Sequence, residues 1–316
     1  MRGVGIVIVA CNSAGEIGAC LDAALGTGAE VVVVDNDSKD QTRQEVLRRP
    51  AARLIANPWN RGTAAAVNQG VGALGRPLVL LLNPDAVLLG GLAALVEALS
   101  EPAAAAAGGK LVDERGRSQA GMVVRRFPSP RALIFEMLGV NRLWPGNPVN
   151  RRYRCRGLNL DAEAEVDHPA GGFLMIRREI WRELGGFDEA FHPLWFEDVD
   201  FLKRVREAGY RIHYVPSAVA RRRGGRPVAG RSRKQNQLYW YDSLLKYSAR
   251  HFGPAARWVI CLAVMLRCVP QAVWGIFRSR GAQSLAIHGR IIGLAVRCLV
   301  SGRTGRARWK PAVAGW

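Results

Sequence analysis

The 316-residue sequence predicts an α/β fold, with a mostly parallel sheet and flanking helices, followed by a helical, basic C-terminal region. Three observations carry that expectation. Short apolar runs alternate with helical periodicity through the first hundred or so residues, the pattern of right-handed strand–helix–strand units. Residues 31–34 are all valine, as in a strand covered on both faces. The charge is lopsided: residues 1–202 hold 22 Lys/Arg against 24 Asp/Glu, whereas 203–316 hold 23 against only Glu207 and Asp242. The formal net charge of +19 therefore belongs to one end of the chain.

Taken in order, Val4–Ala10 reads as a buried strand, and Ile17, Leu21 and Ala24 then recur at helical spacing. A strand at 31–34, a polar helix at 41–48, a short strand at 54–56 and a small-residue helix at 63–71 follow. Leu78–Leu82 is a fourth buried strand. Leu92, Leu95, Val96 and Leu99 lie on one face of an amphipathic helix. From about residue 103 the pattern loosens: 103–107 is a short alanine run, and 113–165, rich in Arg, Pro and Gly, reads as irregular and partly extended. A strand at 171–176, a helix at 177–184 stopped by Gly185-Gly186 and a helix at 197–208 restore order. The Arg- and Gly-rich stretch 221–234 reads as a mobile boundary loop, and beyond 236 only helices are expected.

With 49% apolar and 22% charged residues the chain can bury a sizeable core and is not disordered by composition. Its six cysteines show no C-x-x-C pair and no His at metal-ligand spacing, so reduced thiols in a cytosolic protein are expected. The apolar run near the N-terminus is short for a signal sequence, and no small-residue cleavage site follows it.

In an open parallel sheet, ligands sit beyond the carboxyl ends of the strands. Here those ends read Cys11-Asn12-Ser13, Asp35-Asn36-Asp37-Ser38, Asn57 with Asn60-Arg61-Gly62 close behind, and Asn83-Pro84-Asp85. Any one could be a turn; four together point to a ligand edge. The chain after strand one reads Cys11-Asn12-Ser13-Ala14-Gly15, which is not the G-x-G-x-x-G of a dinucleotide site. Gly108-Gly109-Lys110 is followed by Leu111, so it is not a P-loop. Carboxylates at strand ends suit a hydroxyl-rich or metal-bridged ligand, with Mg²⁺ or Mn²⁺ shared between one carboxylate and substrate phosphates.

Asp35-Asn36-Asp37-Ser38-x-Asp40, Asn60-Arg61-Gly62, Asn83-Pro84-Asp85, Gly171-Gly172-Phe173, and Gly185-Gly186-Phe187-Asp188-Glu189 followed by Phe196-Glu197-Asp198-Val199-Asp200 stand in the order found in family 2 glycosyltransferases. The chain resembles their bacterial rhamnosyltransferase-like branch over about residues 4–225. The resemblance implies a GT-A fold over residues 1–225, a nucleotide-diphosphate sugar donor, a divalent metal and inversion at the anomeric carbon. It implies that Asp35 holds the nucleotide base with Ala10 and Asn12 beside it, and that Asn60, Gly62 and Asn83 line the donor pocket. Asp85 would ligate the metal. Gly171, Gly172 and Trp195 would face the acceptor, although Trp195 and Phe196 could equally be core. Many members carry a His beyond the Glu-Asp pair; here Arg221-Arg222-Arg223 stands instead, and Arg221 or a neighbour is expected to pair with phosphate oxygens.

Asp198 is the expected general base, since a sugar hydroxyl needs one and the helix N-terminus favours the ionised form. Glu197 is the reserve candidate. Asp200, with Arg204 four residues on, is expected to form a surface pair. His168, His192 and His213 show no pattern and are expected to be structural. The sugar is not encoded; rhamnose from dTDP-rhamnose follows from the branch resembled, with a glycan or lipid-linked acceptor.

Residues 226–316 are expected to associate with the inner face of the cytoplasmic membrane; the alternative, a helical cap packed on the catalytic domain, accounts for the apolar residues but leaves the positive charge unexplained. Arg267 at the centre of 258–277 and a break at Pro270 argue against a spanning helix, whereas 285–300, with Arg290 and Arg297 on one face, suits the interface. Two other classes fit the sequence less well: a nucleic-acid binder using the basic end, disfavoured because its charges are interleaved with long apolar stretches, and a non-catalytic scaffold, disfavoured by the intact Asp35, Asp85 and Asp198.

Overall fold

The computed structural model describes residues 3–118, 121, 123–222, 233–277 and 281–302. The chain begins β1 (Val4–Ala10), α1 (Ile17–Gly26), β2 (Glu30–Asn36), α2 (Thr42–Leu47), β3 (Ala52–Asn57), α3 (Thr63–Gly72), β4 (Leu78–Leu82), β5 (Ala86–Gly90), α4 (Leu92–Ala98) and β6 (Ala104–Val112). It continues through β7 (Val124–Arg125), α5 (Pro130–Met137), α6 (Val140–Leu143), α7 (Pro148–Tyr153), β8 (Ala164–Glu165), β9 (His168–Pro169) and β10 (Phe173–Arg177). Then come α8 (Arg178–Glu183), α9 (Glu197–Glu207), β11 (Arg211–Arg222), α10 (Arg233–His251), α11 (Pro254–Phe277) and α12 (Gly281–Ser301).

The four strands expected from apolar runs form the parallel half of the sheet, in the order β3-β2-β1-β4. Their registers align Ala10 with Asp35 and Asn36 with Asn57, so the polar strand endings share one edge. Val31 to Val34 are buried, as a doubly covered strand requires. β10 then pairs antiparallel with β4, Phe173 opposite Leu82. Because it runs the other way, its preceding Gly171-Gly172 arrives at the same edge as Asn83. The order continues β10-β6-β11-β5, so the mostly parallel sheet is a parallel half joined through β10 to a mixed one.

Besides the two-residue strands β7, β8 and β9, three strands escaped the sequence reading. The alanine run is the start of β6, not a loosening of the fold: Ala104 to Ala107 are fully buried between β10 and β11. Alanine carries little strand propensity, and only tertiary burial selects a strand there. The adjoining Gly108 and Gly109 are packing residues, since a Cβ on them would lie 2.3 Å from Pro169 and 2.1 Å from Phe173. β11 runs through Pro216 with a register shift between Val215 and Val219, which breaks the alternation that would have announced it. β5 is a short strand lying antiparallel beside β11. The segment read as irregular also holds α5, α6 and α7. Ser129-Pro130 and Asn147-Pro148 start two of them, each cap side chain accepting a backbone N–H (Ala132 N at 3.2 Å, Asn150 N at 2.8 Å).

The C-terminal helices form a second core. Tyr241, Leu244, Leu245 and Tyr247 of α10 pack with Ile260 and Val264 of α11, Ile291 and Ala295 of α12, and Leu133 and Met137 of α5. α11 runs unbroken through Pro270, contrary to expectation. Losing one ladder bond does not outweigh packing along the rest of the helix. The expected loop 221–234 and the boundary at 225/226 lie outside the described residues, except that Arg221 and Arg222 end β11 and α10 begins at Arg233. None of the six cysteines is in a disulfide.

Candidate active site

A cleft of about 750 Å³ opens at the carboxyl edge of the parallel strands. Asn12, Asn60, Asn83 and Asp85 line it from the strand endings, and Gly171, Gly172, Trp195, Glu197 and Asp198 from the opposite side. Ala10, Asp35, Gly62 and Arg221 do not line it. Ala10 is fully buried, and Gly62, at φ +84°, packs against His192 and Pro193. Arg221 ends on the exposed side of β11, whereas Arg222, its neighbour, reaches the cleft.

Asp35 is fully buried behind the cleft wall. Its Oδ2 accepts from Arg43 Nε at 2.5 Å and from the Ser38 N–H at 3.3 Å, while Oδ1 is buried without a partner. A buried carboxylate oxygen with no donor is costly to keep in the fold. Asn12 Oδ1 accepts the Lys39 N–H at 2.7 Å, and Asn36 Nδ2 donates to Asn60 Oδ1 at 3.2 Å, fixing the loops above the strands.

Asp85 Oδ2 accepts from Arg222 Nε at 2.9 Å. The contact is set by register, because Arg222 stands opposite Ala86 in the β11–β5 pair. Among the described residues no group of three or more His, Cys, Asp or Glu side chains could hold a metal ion. The undescribed segments contain none of those residue types. Of the strand-end carboxylates Asp85 lines the cleft and Asp35 and Asp37 do not, so Asp85 is the one that could hold a cation, with the remaining ligands left to substrate oxygens and water. That suits Mg²⁺ or Mn²⁺ bound together with a diphosphate.

The two glycines of the β9–β10 turn are demanded by their neighbours. A Cβ on Gly171 would sit 2.3 Å from Asp198 Oδ2, and one on Gly172 would sit 2.4 Å from Asn83 Nδ2. They thus let the start of α9 and the end of β4 close on one another, with the Asn83 N–H donating to the Gly172 carbonyl at 2.9 Å.

Asp198 Oδ2 also meets His168 Nε2 at 3.1 Å, and its Oδ1 accepts the Val199 N–H at 2.8 Å. Burial pushes its carboxyl up, but the His168 charge and hydrogen bond, the Val199 N–H and the Arg125 charge outweigh that and hold it below the usual carboxylate value. Glu197, beside it, goes the other way. Burial and the Asp198 charge push it up to about 8, and its Oε2 has no partner. Near neutral pH Asp198 is the ionised member of the pair and Glu197 the protonated one, a division typical of paired catalytic carboxyls.

The helix start is held from outside the sheet. Trp195 and Phe196 both have left-handed φ values, 75° and 69°, at a cost of about 1–3 kcal/mol each. Phe196 stacks on Tyr247 of α10 (centroids 5.3 Å apart), and Ser243 Oγ donates to the Leu194 carbonyl at 3.0 Å. Trp195 packs against the second core, as one of its two expectations had it, and also lines the cleft. Asp200 is buried rather than a surface residue. It accepts from Arg204 at 2.9 Å, Arg250 at 3.2 Å and His251 at 2.7 Å, which ties α10 to α9.

His168 was expected to be structural and instead touches the candidate base. Its signal was its position just before Gly171-Gly172, visible only once β10 is known to run antiparallel. Arg222, one of the neighbours of Arg221 named from the sequence, lines the cleft, as do Arg125 and Arg154, which were not singled out by sequence.

A family model described as glycosyl transferase family 2 matches residues 5–185, and one described as the N-terminal domain of galactosyltransferase matches 151–224. The chain is 30% identical over 290 residues to an N-acetylglucosaminyl-diphospho-decaprenol L-rhamnosyltransferase of Mycobacterium tuberculosis, covering 86% of this chain and 92% of that one. It is 27% identical over 141 residues to the rhamnosyltransferase WbbL of Escherichia coli, covering 44% and 49%. Among solved structures, it shares the GT-A fold with a mannosyltransferase from Pyrobaculum calidifontis in complex with GDP-Man and Mn²⁺ (TM-score 0.53, 19% identity, 95% of this chain and 87% of that one). The S. aureus TarS 1–349 complex with UDP-GlcNAc gives a TM-score of 0.51 at 15% identity, covering 95% and 84%.

Proposed function

The chain belongs to glycosyl transferase family 2, a glycosyltransferase of polysaccharide synthesis similar to rhamnosyltransferases, and from that premise we propose that it moves a sugar, with inversion, from a nucleoside diphosphate donor to a lipid-linked acceptor. The observation that supports this most is the ionised Asp198 in the same cleft as Asp85. Rhamnose from dTDP-rhamnose is the proposed donor, by similarity to the two rhamnosyltransferases.

The unpartnered Oδ1 of Asp35 accepts an N–H of the donor base. Asp85 holds the divalent ion, which when bound offsets the charge of the diphosphate. Arg222, already paired with Asp85, turns its guanidinium to the phosphate oxygens, where it takes the part of the expected arginine. Asp198 accepts the proton of the acceptor hydroxyl as its oxygen attacks the anomeric carbon in line, and the nucleoside diphosphate departs. Neutral Glu197 adds no negative charge beside the base.

α11 supports the membrane part of the reading. Trp258, Leu262, Leu266, Val269 and Val273 are each about half exposed or more and recur every three or four residues along one face. By length and composition α11 could cross a membrane, but its other face belongs to the second core. Lying in the interface on the cytoplasmic side, with Arg290 and Arg297 of α12 exposed nearby, accounts for both faces.

The test is a donor screen that reads nucleoside diphosphate release with a polyprenyl-diphosphate-linked N-acetylglucosamine as acceptor, with and without chelator. Acceptor-dependent release from dTDP-rhamnose that chelator abolishes is expected. Release from another donor alone would replace the sugar, and none from any donor would sink the reading.

A further inference from the structure

A chain of contacts orders the cleft. The Gly172 carbonyl meets the Asn83 N–H, Gly171 lies against Asp198, Asp198 meets His168, and His168 stands opposite Arg125 in the β7–β9 pair. Arg125 therefore reaches the cleft by way of His168, near Asp198, whereas Asp85 is held from β11 by Arg222. A base must meet the acceptor hydroxyl, so groups beside Asp198 stand where the acceptor is bound.

Arg154 lines the cleft beside it. Gly121, at φ +83°, sits between the two arginines: its carbonyl accepts from Arg125 Nε at 2.5 Å, and a Cβ there would lie 2.9 Å from Arg154 Cβ. Arg154 Nε donates to Oδ1 of buried Asn150 at 2.9 Å, which aims the guanidinium. Glu136, itself accepting from Asn141, is 4.0 Å from Arg154, and among the described residues Arg125 has no ion-pair partner. Arg154 thus has a carboxylate only at the limit of ion pairing, and Arg125 feels the charge of Asp198 without a direct ion pair, so both guanidinium groups keep donors for a ligand at the edge of the cleft. Leu133 and Trp240 line the same cleft and give it an apolar border.

We propose that Arg125 and Arg154 bind the phosphate group through which the acceptor sugar is joined to its lipid. Planar guanidinium forks match phosphate oxygens bidentately, and the apolar border suits the first isoprene units. This rests on the lipid-linked acceptor reading above.

The probe is farnesyl diphosphate, titrated into the full chain after saturation with the nucleoside diphosphate and Mg²⁺ that fill the donor side. Wild type should bind it, Arg125→Gln/Arg154→Gln at least tenfold more weakly, and Arg154→Lys in between. Farnesol should bind both proteins equally, and nucleoside diphosphate affinity should be unchanged, which also reports that the variant is folded. Should the double variant lose nucleoside diphosphate instead, with its melting temperature intact, the arginines belong to the donor. If farnesyl diphosphate ignores the substitutions, or fails to bind wild type, the proposal is wrong. Absence of nucleoside diphosphate binding in wild type would fell the transferase reading instead.

Discussion

The two halves of the cleft are built by different means. The half proposed for the donor is a by-product of sheet geometry: parallel strands in register deliver Asn12, Asn36 and Asp85 to one edge. The half proposed for the acceptor is gathered from β7, β9, α5, α7 and α10, and a second core holds it in place. Asp198 sits at the seam. Its backbone is set by strained Trp195 and Phe196, which α10 clamps, while its side chain rests on a glycine of the sheet edge. A catalytic group placed at such a seam can touch both substrates without belonging to either binding site.

That division can be broken by substitution. Asp198→Asn is isosteric and should cut turnover by about 10²–10⁴-fold, while nucleoside diphosphate affinity, followed by titration calorimetry, stays put. A parallel loss of donor affinity would mean that the halves are not separable. The next effect is finer. Gly171→Ala displaces Asp198 and should lower kcat by about 10²-fold, whereas Gly172→Ala displaces Asn83 and should raise the donor KM instead. Steady-state kinetics that show both variants with the same defect would erase the distinction between the two glycines. The smallest effect belongs to Glu197→Gln. Because Glu197 is protonated near neutral pH, the amide should leave activity at pH 7 within a few-fold. It should also remove a pH dependence of stability. With its carboxyl raised from 4.5 to about 8 in the fold, Glu197 binds a proton that the unfolded chain releases, so wild type loses stability relative to the variant as pH climbs through that window. Denaturant melts at several pH values read the difference directly.

The same contrast explains what could be read in advance. β1 to β4 were legible because doubly covered strands are written as apolar runs, and their endings gave Asn12, Asn60, Asn83 and Asp85. β6 was illegible because alanine signals nothing about strands, and β11 because Pro216 interrupts its alternation. His168 and Arg125 were illegible because each enters the cleft only through a two-residue strand pair between segments more than forty residues apart. Asp200 was assigned its partner Arg204 correctly but the wrong environment, since His251 and Arg250, which bury it, come from a helix fifty residues on. The expectation named Arg221 or a neighbour, and of Arg221 and Arg222 it is Arg222 that lines the cleft, because successive strand residues face opposite sides.

The most direct test of the site is the pH dependence of kcat/KM for the acceptor, because adjacent carboxyls with opposed protonation make opposed forecasts. If Asp198 is the base, held below the usual carboxylate value by His168, the rate should be at its plateau by about pH 6 and show no further gain toward about pH 9. A rate that instead climbs about tenfold per unit up to about 8, and loses that limb in Glu197→Gln, would assign the base to Glu197 and contradict the role given to Asp198.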